Sequence, residues 1–394
     1  MLFNQNLLNL LNLLTEKHYT NAEGMMKKFG LMILAIGLVL AWAAPVTAAR
    51  RAQDEAALTW LRGFQQADGG FTNGFSAGSD LGATTEVMLA AAAAGQDCST
   101  WLSSTGNSPL DYLAAQVKQG AVKDAAGLTR VVLATVATGQ DPRNFGGKNL
   151  VQALLAAQDK TTARFGDSLY AHAYAMLALH SAGEAVPQSA VDLLKAQIAD
   201  DGAWSLFGGP TAGLADTNTT ALAMQALVAV GERDAAHGAL PYLQRMQNAD
   251  GGFPYQKPSA WGTDTDANST AVVVQALYAL GEPMGNWAAK GTDPLGALLA
   301  LWDTASGGYY WQAAVPFANI LATAQAVQAI EGMSLVNLPV VGASRAPQAV
   351  AAAAAPVVVS DVPLLPMSGG FAPGNALIFV GLLMMGAGLM LRKR

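Results

Sequence analysis

One cysteine stands in 394 residues. No internal disulfide is possible, so an exported domain of this chain has to rest on its core alone. Charge is scarce as well: Asp, Glu, Lys and Arg make up 13 % of the chain and sum to −6. No cluster of Lys and Arg occurs in the central part, which argues against a nucleic-acid partner. Histidine is limited to four residues. His18 precedes the expected mature start, and His172 and His180 lie eight apart on one predicted helix, where packing is the expected role. Cys98 falls in a predicted loop with no histidine beside it. Neither a Gly-Cys-Gly-Glu-Gln thioester motif nor an Asp-Asp-x-x-Asp diphosphate clamp is present. No metal and no cofactor is expected.

Apolar residues make up 52 %, and much of the excess is alanine, which suits closely packed helices. Residues 1–49 read as a signal-peptide region. Lys27 and Lys28 begin it, Leu31 to Trp42 form the apolar stretch, and Val46-Thr47-Ala48 supplies the small-residue cleavage site. A leader starts just before its lysines, so Met25 or Met26 is the expected true start. An uncleaved N-terminal anchor is the alternative. At the other end Phe371 to Leu391 runs without a charge and is long enough for a transmembrane helix. Arg392-Lys393-Arg394 then keeps the terminus cytoplasmic and the domain outside. Residues 336–364, rich in Ala, Val and Pro, read as a linker. The folded part is expected over 50–335.

Self-comparison reveals a repeat. Six alanine-rich helical patterns end on Gly95, Gly139, Gly183, Gly231, Gly281 and Gly332, at gaps of 44, 44, 48, 50 and 51 residues. Glycine stops a helix because it takes the left-handed conformation without a Cβ penalty. Fifteen residues before each stop stand Asp80, Asp124, Ser168, Asp216, Asp266 and Phe317. Aspartate and serine cap helix N-termini, so one inner helix of about 14 residues repeats six times. A second helical run precedes each: Asp54–Gln66, Pro109–Lys118, Asn149–Gln158, Gln188–Gln197, Ala239–Gln247 and Pro294–Trp302.

A shared turn comes after several of these outer runs. Gln65-Gln66-Ala67-Asp68-Gly69-Gly70-Phe71 returns as Gln247-Asn248-Ala249-Asp250-Gly251-Gly252-Phe253, with looser copies ending at Trp204 and Tyr309. The glycines make the turn, the aromatic packs on neighbouring hairpins and the glutamine bonds nearby backbone. Gln-x-x-x-Gly-x-aromatic on helical hairpins resembles the QW motif of triterpene cyclases and the related protein prenyltransferases. The resemblance spans about Asp54 to Gly332 and implies an all-α fold, an α6/α6 toroid of six helical hairpins around a central cavity. Leu365-Pro366-Met367-Ser368-Gly369 resembles the Leu-Pro-x-Thr-Gly sorting signal of sortase substrates, with serine in the threonine place. It implies display on the extracellular face of the membrane, held by a single pass or joined by a sortase to the cell wall.

The chemistry implied by the resemblance does not carry over whole. Squalene–hopene-type cyclases protonate an alkene with the middle aspartate of Asp-x-Asp-Asp-Thr-Ala, a strong preorganised donor. The matching stretches here are Asp216-Thr217-Asn218-Thr219-Thr220-Ala221 and Asp266-Ala267-Asn268-Ser269-Thr270-Ala271, with Asn218 and Asn268 in the acid's place. An amide cannot protonate an alkene. Asp266 and Glu86 remain as the weak catalytic candidates. Asp264-x-Asp266-x-Asn268 begins like a calcium loop but lacks the sixth-position glycine and the twelfth-position acid.

Two residues past the cap places the six helices carry Gly82, Ala126, Tyr170, Asn218, Asn268 and Asn319; six past, Glu86, Arg130, Tyr174, Leu222, Val272 and Thr323. The two sets share one helix face. Tyr170, Tyr174, Asn218, Asn268, Asn319, Glu86 and Arg130 are therefore the candidate cavity lining, with Glu86 and Arg130 expected to pair. The bland alternative is that the asparagines satisfy helix starts and the tyrosines fill core. The functional expectation is a surface-displayed, non-catalytic binding or interaction module, for an apolar or cofactor-like small molecule or a surface partner. The competing one is an exported terpenoid cyclase or prenyltransferase-like enzyme with a divergent acid.

Overall fold

The structure, a computed structural model, describes residues 52–342 except 210, 212, 260 and 261. The chain divides into two compact units, Met1–Ala56 and Ala57–Arg394. Of the first, only the helical residues 52–56 are described; the second holds the helical hairpins. The expected leader, the sorting motif Leu365–Gly369 and the apolar run Phe371–Leu391 lie outside the described residues. Among the described residues no helix is long and apolar enough to cross a membrane.

The inner helices are α2 (Leu81–Ala93), α4 (Ala125–Ala137), α6 (Leu169–Ser181), α8 (Thr217–Ala229), α11 (Ala267–Leu280) and α13 (Ile320–Ile330). Outside them run α1 (residues 57–62 of this unit), α3 (Pro109–Gln119), α5 (Leu150–Ala156), α7 (Gln188–Ala196), the short α9 (Arg233–His237), α10 (Leu240–Met246) and α12 (Pro294–Leu299). Each inner helix packs on the next around the series, and α13 packs back on α2. The six hairpins therefore close into a ring, as the resemblance implies. Closure removes the exposed ends that an open array of repeats has to cap.

The inner helices are apolar all round because they have neighbours on every side. Ten residues past each cap stands an alanine: Ala90, Ala134, Ala178, Ala226, Ala276 and Ala329, all fully buried. Side chains this small let helices approach closely. The caps work as the sequence implies. Asp80, Asp124, Ser168, Asp216 and Asp266 each accept a hydrogen bond from the backbone N–H three residues on.

The sixth repeat departs from the expected register. Phe317 lies in a strand, β2 (Val315–Ala318), paired antiparallel with β1 (Tyr310–Gln312). The cap of α13 is Asn319, whose side chain accepts from Ala322 N at 2.9 Å. The hairpin takes up the chain that forms the first helical residues elsewhere, so α13 is two residues shorter than α2, α4, α6 and α8 and three shorter than α11.

The shared turns stitch the ring together. Gln65 Nε2 donates to Gly69 O at 3.1 Å and to Trp101 O at 2.9 Å; Gln247 Nε2 donates to Gly251 O at 2.8 Å and to Trp287 O at 2.6 Å. Phe71 and Phe253 are fully buried against those same tryptophans, ring centres 6.4 and 6.1 Å apart. Phe71 N and Phe253 N donate to Thr84 Oγ1 and Thr270 Oγ1, binding turn to inner helix. His172 takes that threonine's place in the third repeat: its Nδ1 accepts from Phe165 N at 3.0 Å and its Nε2 bonds Ala190 O at 3.0 Å. Gly251 has φ +92, and a Cβ there would collide with Thr292 O. Gly251→Ala is expected to cost at least about 2 kcal/mol, read from the urea midpoint at unchanged slope.

After Gly332 the chain turns back over the C-terminal ends of the inner helices. Met333, Ser334 and Leu335 are buried. Leu335 N donates to Gln225 Oε1 on α8 at 2.9 Å, and Val341 N donates to Ala137 O at the end of α4 at 2.9 Å. The segment 333–342 thus runs from α13 past α8 to α4, and the chain stays on the ring as far as Gly342.

Candidate functional site

Counting from the observed caps gives three layers inside the ring. Two residues in stand Gly82, Ala126, Tyr170, Asn218, Asn268 and Leu321; six in, Glu86, Arg130, Tyr174, Leu222, Val272 and Gln325; nine in, Leu89, Leu133, Leu177, Gln225, Gln275 and Gln328. Asn319 is therefore the α13 cap rather than a wall residue. Gln325, which the uncorrected register passes over, takes a wall place. Gln225 and Gln275 stand nine residues in by the sequence register already, and Gln328 joins them only once the two-residue shift is known.

A polar belt crosses these layers. Arg130 Nη1 stands 3.6 Å from Glu86 Oε1, and its guanidinium lies 5.8 Å from the centre of the Tyr174 ring. Gln328 Nε2 donates to Glu86 Oε2 at 3.0 Å, and Gln275 Nε2 donates to Gln328 Oε1 at 3.3 Å. Asn268 Nδ2 donates to Gln325 Oε1 at 2.7 Å. The belt joins α11, α13, α2, α4 and α6. Burial opposes charge on Arg130, but Tyr174, Glu86 and Tyr170 outweigh it and hold the guanidinium above its ordinary pKa. Burial pushes the Tyr170 hydroxyl up to about 12 and raises Tyr174 well above its ordinary value, so both stay neutral.

Among the described residues no hydrogen-bond partner is seen for five polar groups on this face: the hydroxyls of Tyr170 and Tyr174, Asn218 Nδ2, Asn268 Oδ1 and Gln325 Nε2. Asn218, Asn268 and Tyr174 are only 4 %, 5 % and 6 % exposed. Buried polar groups are almost always paired in folded proteins. On the same face Ala126 is exposed and Gly82 half-buried. Two hollows described in the structure lie away from these groups: one of about 290 Å³ lined by His180, Glu184, Gln188 and Glu232, and one of about 110 Å³ lined by Trp60, Phe64, Phe75 and Phe317.

The acids on and beside this face are taken up by the fold itself. Glu86 is engaged by Arg130 and Gln328. Asp266 caps α11, its Oδ1 accepting from Ser269 N at 2.7 Å and its Oδ2 from Ser269 Oγ at 2.9 Å. Asp216 caps α8 through Thr219 N at 2.7 Å, and its Oδ2 is sealed from water. Burial nonetheless pushes both aspartates up to about 7 against those capping bonds. Tyr255 stands between them, its hydroxyl toward Asp216 and its backbone N–H toward Asp266. Sequence patterning gives no sign of this, because a cap aspartate is ordinarily exposed.

No metal cluster of three or more His, Cys, Asp or Glu occurs among the described residues. Cys98 is buried in the 3₁₀ turn Cys98–Thr100, and burial pushes its thiol up to about 12. A zinc site of the prenyltransferase kind needs a thiolate at this residue.

Neither a protein-family model nor a curated protein sequence matches the chain. Solved structures do. The type II terpene cyclase MstE from Scytonema without ligand is similar at 13 % identity, over 72 % of this chain and 98 % of that one, with a TM-score of 0.53. A variant of the same cyclase holding its substrate, geranylgeranyl dihydroxybenzoate, matches at 12 % identity over 73 % and 98 %, TM-score 0.50. A glycosidase in complex with glucose matches at 13 % identity over 73 % and 96 %, TM-score 0.49. The fold is thus a toroid like that of a type II terpene cyclase, and at these identities the likeness extends to the fold alone.

Proposed function

We propose that this toroid is a non-catalytic binding module, displayed at the cell surface, whose ring-facing polar positions take a small ligand. The observation that carries the reading is the set of five polar groups on ring-facing positions with no hydrogen-bond partner among the described residues. Pockets that bind small molecules combine apolar walls with a few convergent polar groups, and Leu222 and Val272 supply apolar wall beside them. Asn218 and Asn268 in the acid's place, with Glu86, Asp216 and Asp266 all occupied or closed off, speak against proton-initiated cyclisation. The polarity of the lining also shifts the expectation away from a purely apolar ligand.

The raised carboxyl groups of Asp216 and Asp266 favour the competing reading, an exported enzyme using one of them as acid. Both readings meet in one experiment. The purified full chain is exposed to a lipid extract, a polar-metabolite extract, squalene and geranylgeranyl diphosphate, and analysed by native mass spectrometry. Retention of a ligand without conversion is expected. Turnover of squalene or the prenyl diphosphate would establish the enzyme instead.

A further inference from the structure

We infer that the seam of the ring, where the first and last hairpins meet, is a docking site for a partner protein that inserts one leucine-sized side chain into the hollow beside Trp60. The site stands apart from the ring-facing positions proposed above and does not depend on them.

The hairpin that displaces the register of the last repeat also builds this hollow. α1 and the turn after it give Trp60 and Phe64, packed edge to face with ring centres 4.6 Å apart. The loop after the first shared turn gives Asn73 and Phe75, and β2 with the cap of α13 gives Phe317 and Asn319. The fold itself holds these walls in place. Asn73 Oδ1 accepts from Phe75 N at 2.8 Å and from Ser76 N at 3.0 Å. Gly308 leaves room for the Trp60 ring, where a Cβ would come within 3.0 Å of it. Yet a hollow of about 110 Å³ stands among these aromatics, and Phe317 at its side is 53 % exposed. Protein interiors are close-packed, and an exposed apolar patch rimmed by polar groups marks a place of association.

Charge, size and hydrogen bonding choose the occupant. Among the described residues none that lines the hollow is charged, so a phosphate or carboxylate would lose its water there without gaining a counter-charge. The volume is below the roughly 150 Å³ of a cavity that takes a benzene ring. It holds one branched aliphatic side chain and not the length of an acyl chain. The two amides narrow the class further. Asn319 Oδ1 accepts from Ala322 N at 2.9 Å, and the Asn73 oxygen is used by its own turn. Both asparagines therefore offer an occupant N–H donors. A saccharide brings hydroxyl protons that need acceptors, whereas a polypeptide brings a carbonyl on either side of each side chain. A leucine in the hollow, its flanking carbonyls toward the two amides, fits both the apolar floor and the donors, and Phe317 extends the apolar surface outward.

The test uses the full chain labelled with 5-fluorotryptophan, in which Trp60→Phe identifies the Trp60 resonance. Probes are terminally blocked pentapeptides Gly-Gly-X-Gly-Gly with leucine, alanine or lysine at the centre. Phosphatidylcholine–phosphatidylglycerol vesicles and maltotriose are the other arms. The leucine peptide is expected to shift the Trp60 resonance with a millimolar dissociation constant, the range that one buried side chain supplies. The alanine and lysine peptides should bind at least about tenfold more weakly. Phe317→Ala should weaken the leucine peptide about threefold to fivefold and leave the melting temperature unchanged, because that ring is mostly exposed. Equal affinity for the leucine and alanine peptides would overturn the side-chain pocket. A resonance moved by vesicles or maltotriose and not by peptide would overturn the protein partner. A resonance moved by none of the probes would overturn the docking site, while the ring-facing reading, which rests on other residues, would stand or fall by its own experiment.

Discussion

Glu86→Ala should destabilise the ring by about 3 kcal/mol, a fall in melting temperature of about 5–10 °C. The carboxylate side chain is 7 % exposed and its Arg130 partner 15 %. The substitution removes the charge that faces Arg130 and also the acceptor for Gln328 Nε2, which donates to it at 3.0 Å. A guanidinium cannot shed its proton to escape the loss. Gln328 in turn anchors Gln275, so the damage reaches the contact between α11 and α13 and their joint with α2, where the ring closes.

A structural pair and a ligand-binding pair behave differently in the double variant. Glu86→Leu with Arg130→Met replaces the pair with apolar volume and removes both uncompensated charges. Substitutions of that kind are often close to neutral. The double variant should therefore recover most of the stability lost by Glu86→Ala. If it melts as low as the single variant, the pair is not what holds this part of the ring.

The ring was legible because its signals are local. A glycine stop needs only its own backbone conformation, and a cap aspartate needs only the N–H three residues on, so both leave a mark in sequence at every turn of the repeat. The Gln-x-x-x-Gly-x-aromatic turn is equally readable, since Gln65 and Gln247 bond to carbonyls of their own turns. What sequence could not supply was the register of the last helix. Phe317 and Asn319 are two residues apart, and a strand pair selected between them by contacts within the β1–β2 hairpin. That shift moved Asn319 out of the wall and put Gln325 and Gln328 on it. The partners Asn268–Gln325 and Glu86–Gln328 join residues 57 and 242 apart in sequence, and no local pattern announces them. The segment 333–342 was hidden for the opposite reason: Val336 to Gly342 has the composition of a linker, and only the bonds of Leu335 N to Gln225 Oε1 and Val341 N to Ala137 O hold it on the ring.

Acid should stabilise this protein between neutral pH and about pH 4.5, the reverse of ordinary acid denaturation. Asp216 and Asp266 are both pushed from 3.8 to about 7 by burial, so the folded chain holds their protons more tightly than the unfolded chain does. Their contribution is fully present below the unfolded value near 4, declines as pH rises and is gone above 7. His172 works the other way. Burial lowers it from 6.5 to about 4, so below 6.5 the unfolded chain takes up a proton that the folded chain refuses. Two aspartates against one histidine leave the folded state ahead by one proton, a slope of about 1.4 kcal/mol per pH unit. Over two units that is about 3 kcal/mol, enough to raise the melting temperature by about 5–10 °C between pH 6.5 and 4.5. Asp159 and Asp303, both held low by hydrogen bonds from their own turns, are exposed and act only below this window. Asparagine caps a helix as well as aspartate does, so Asp216→Asn with Asp266→Asn keeps the caps and removes the two protons. In that variant His172 is left unopposed, and its melting temperature should fall as the pH is lowered. A wild-type profile that is flat or declines toward acid would mean that the capping N–H groups, and not burial, set the state of these two carboxyls.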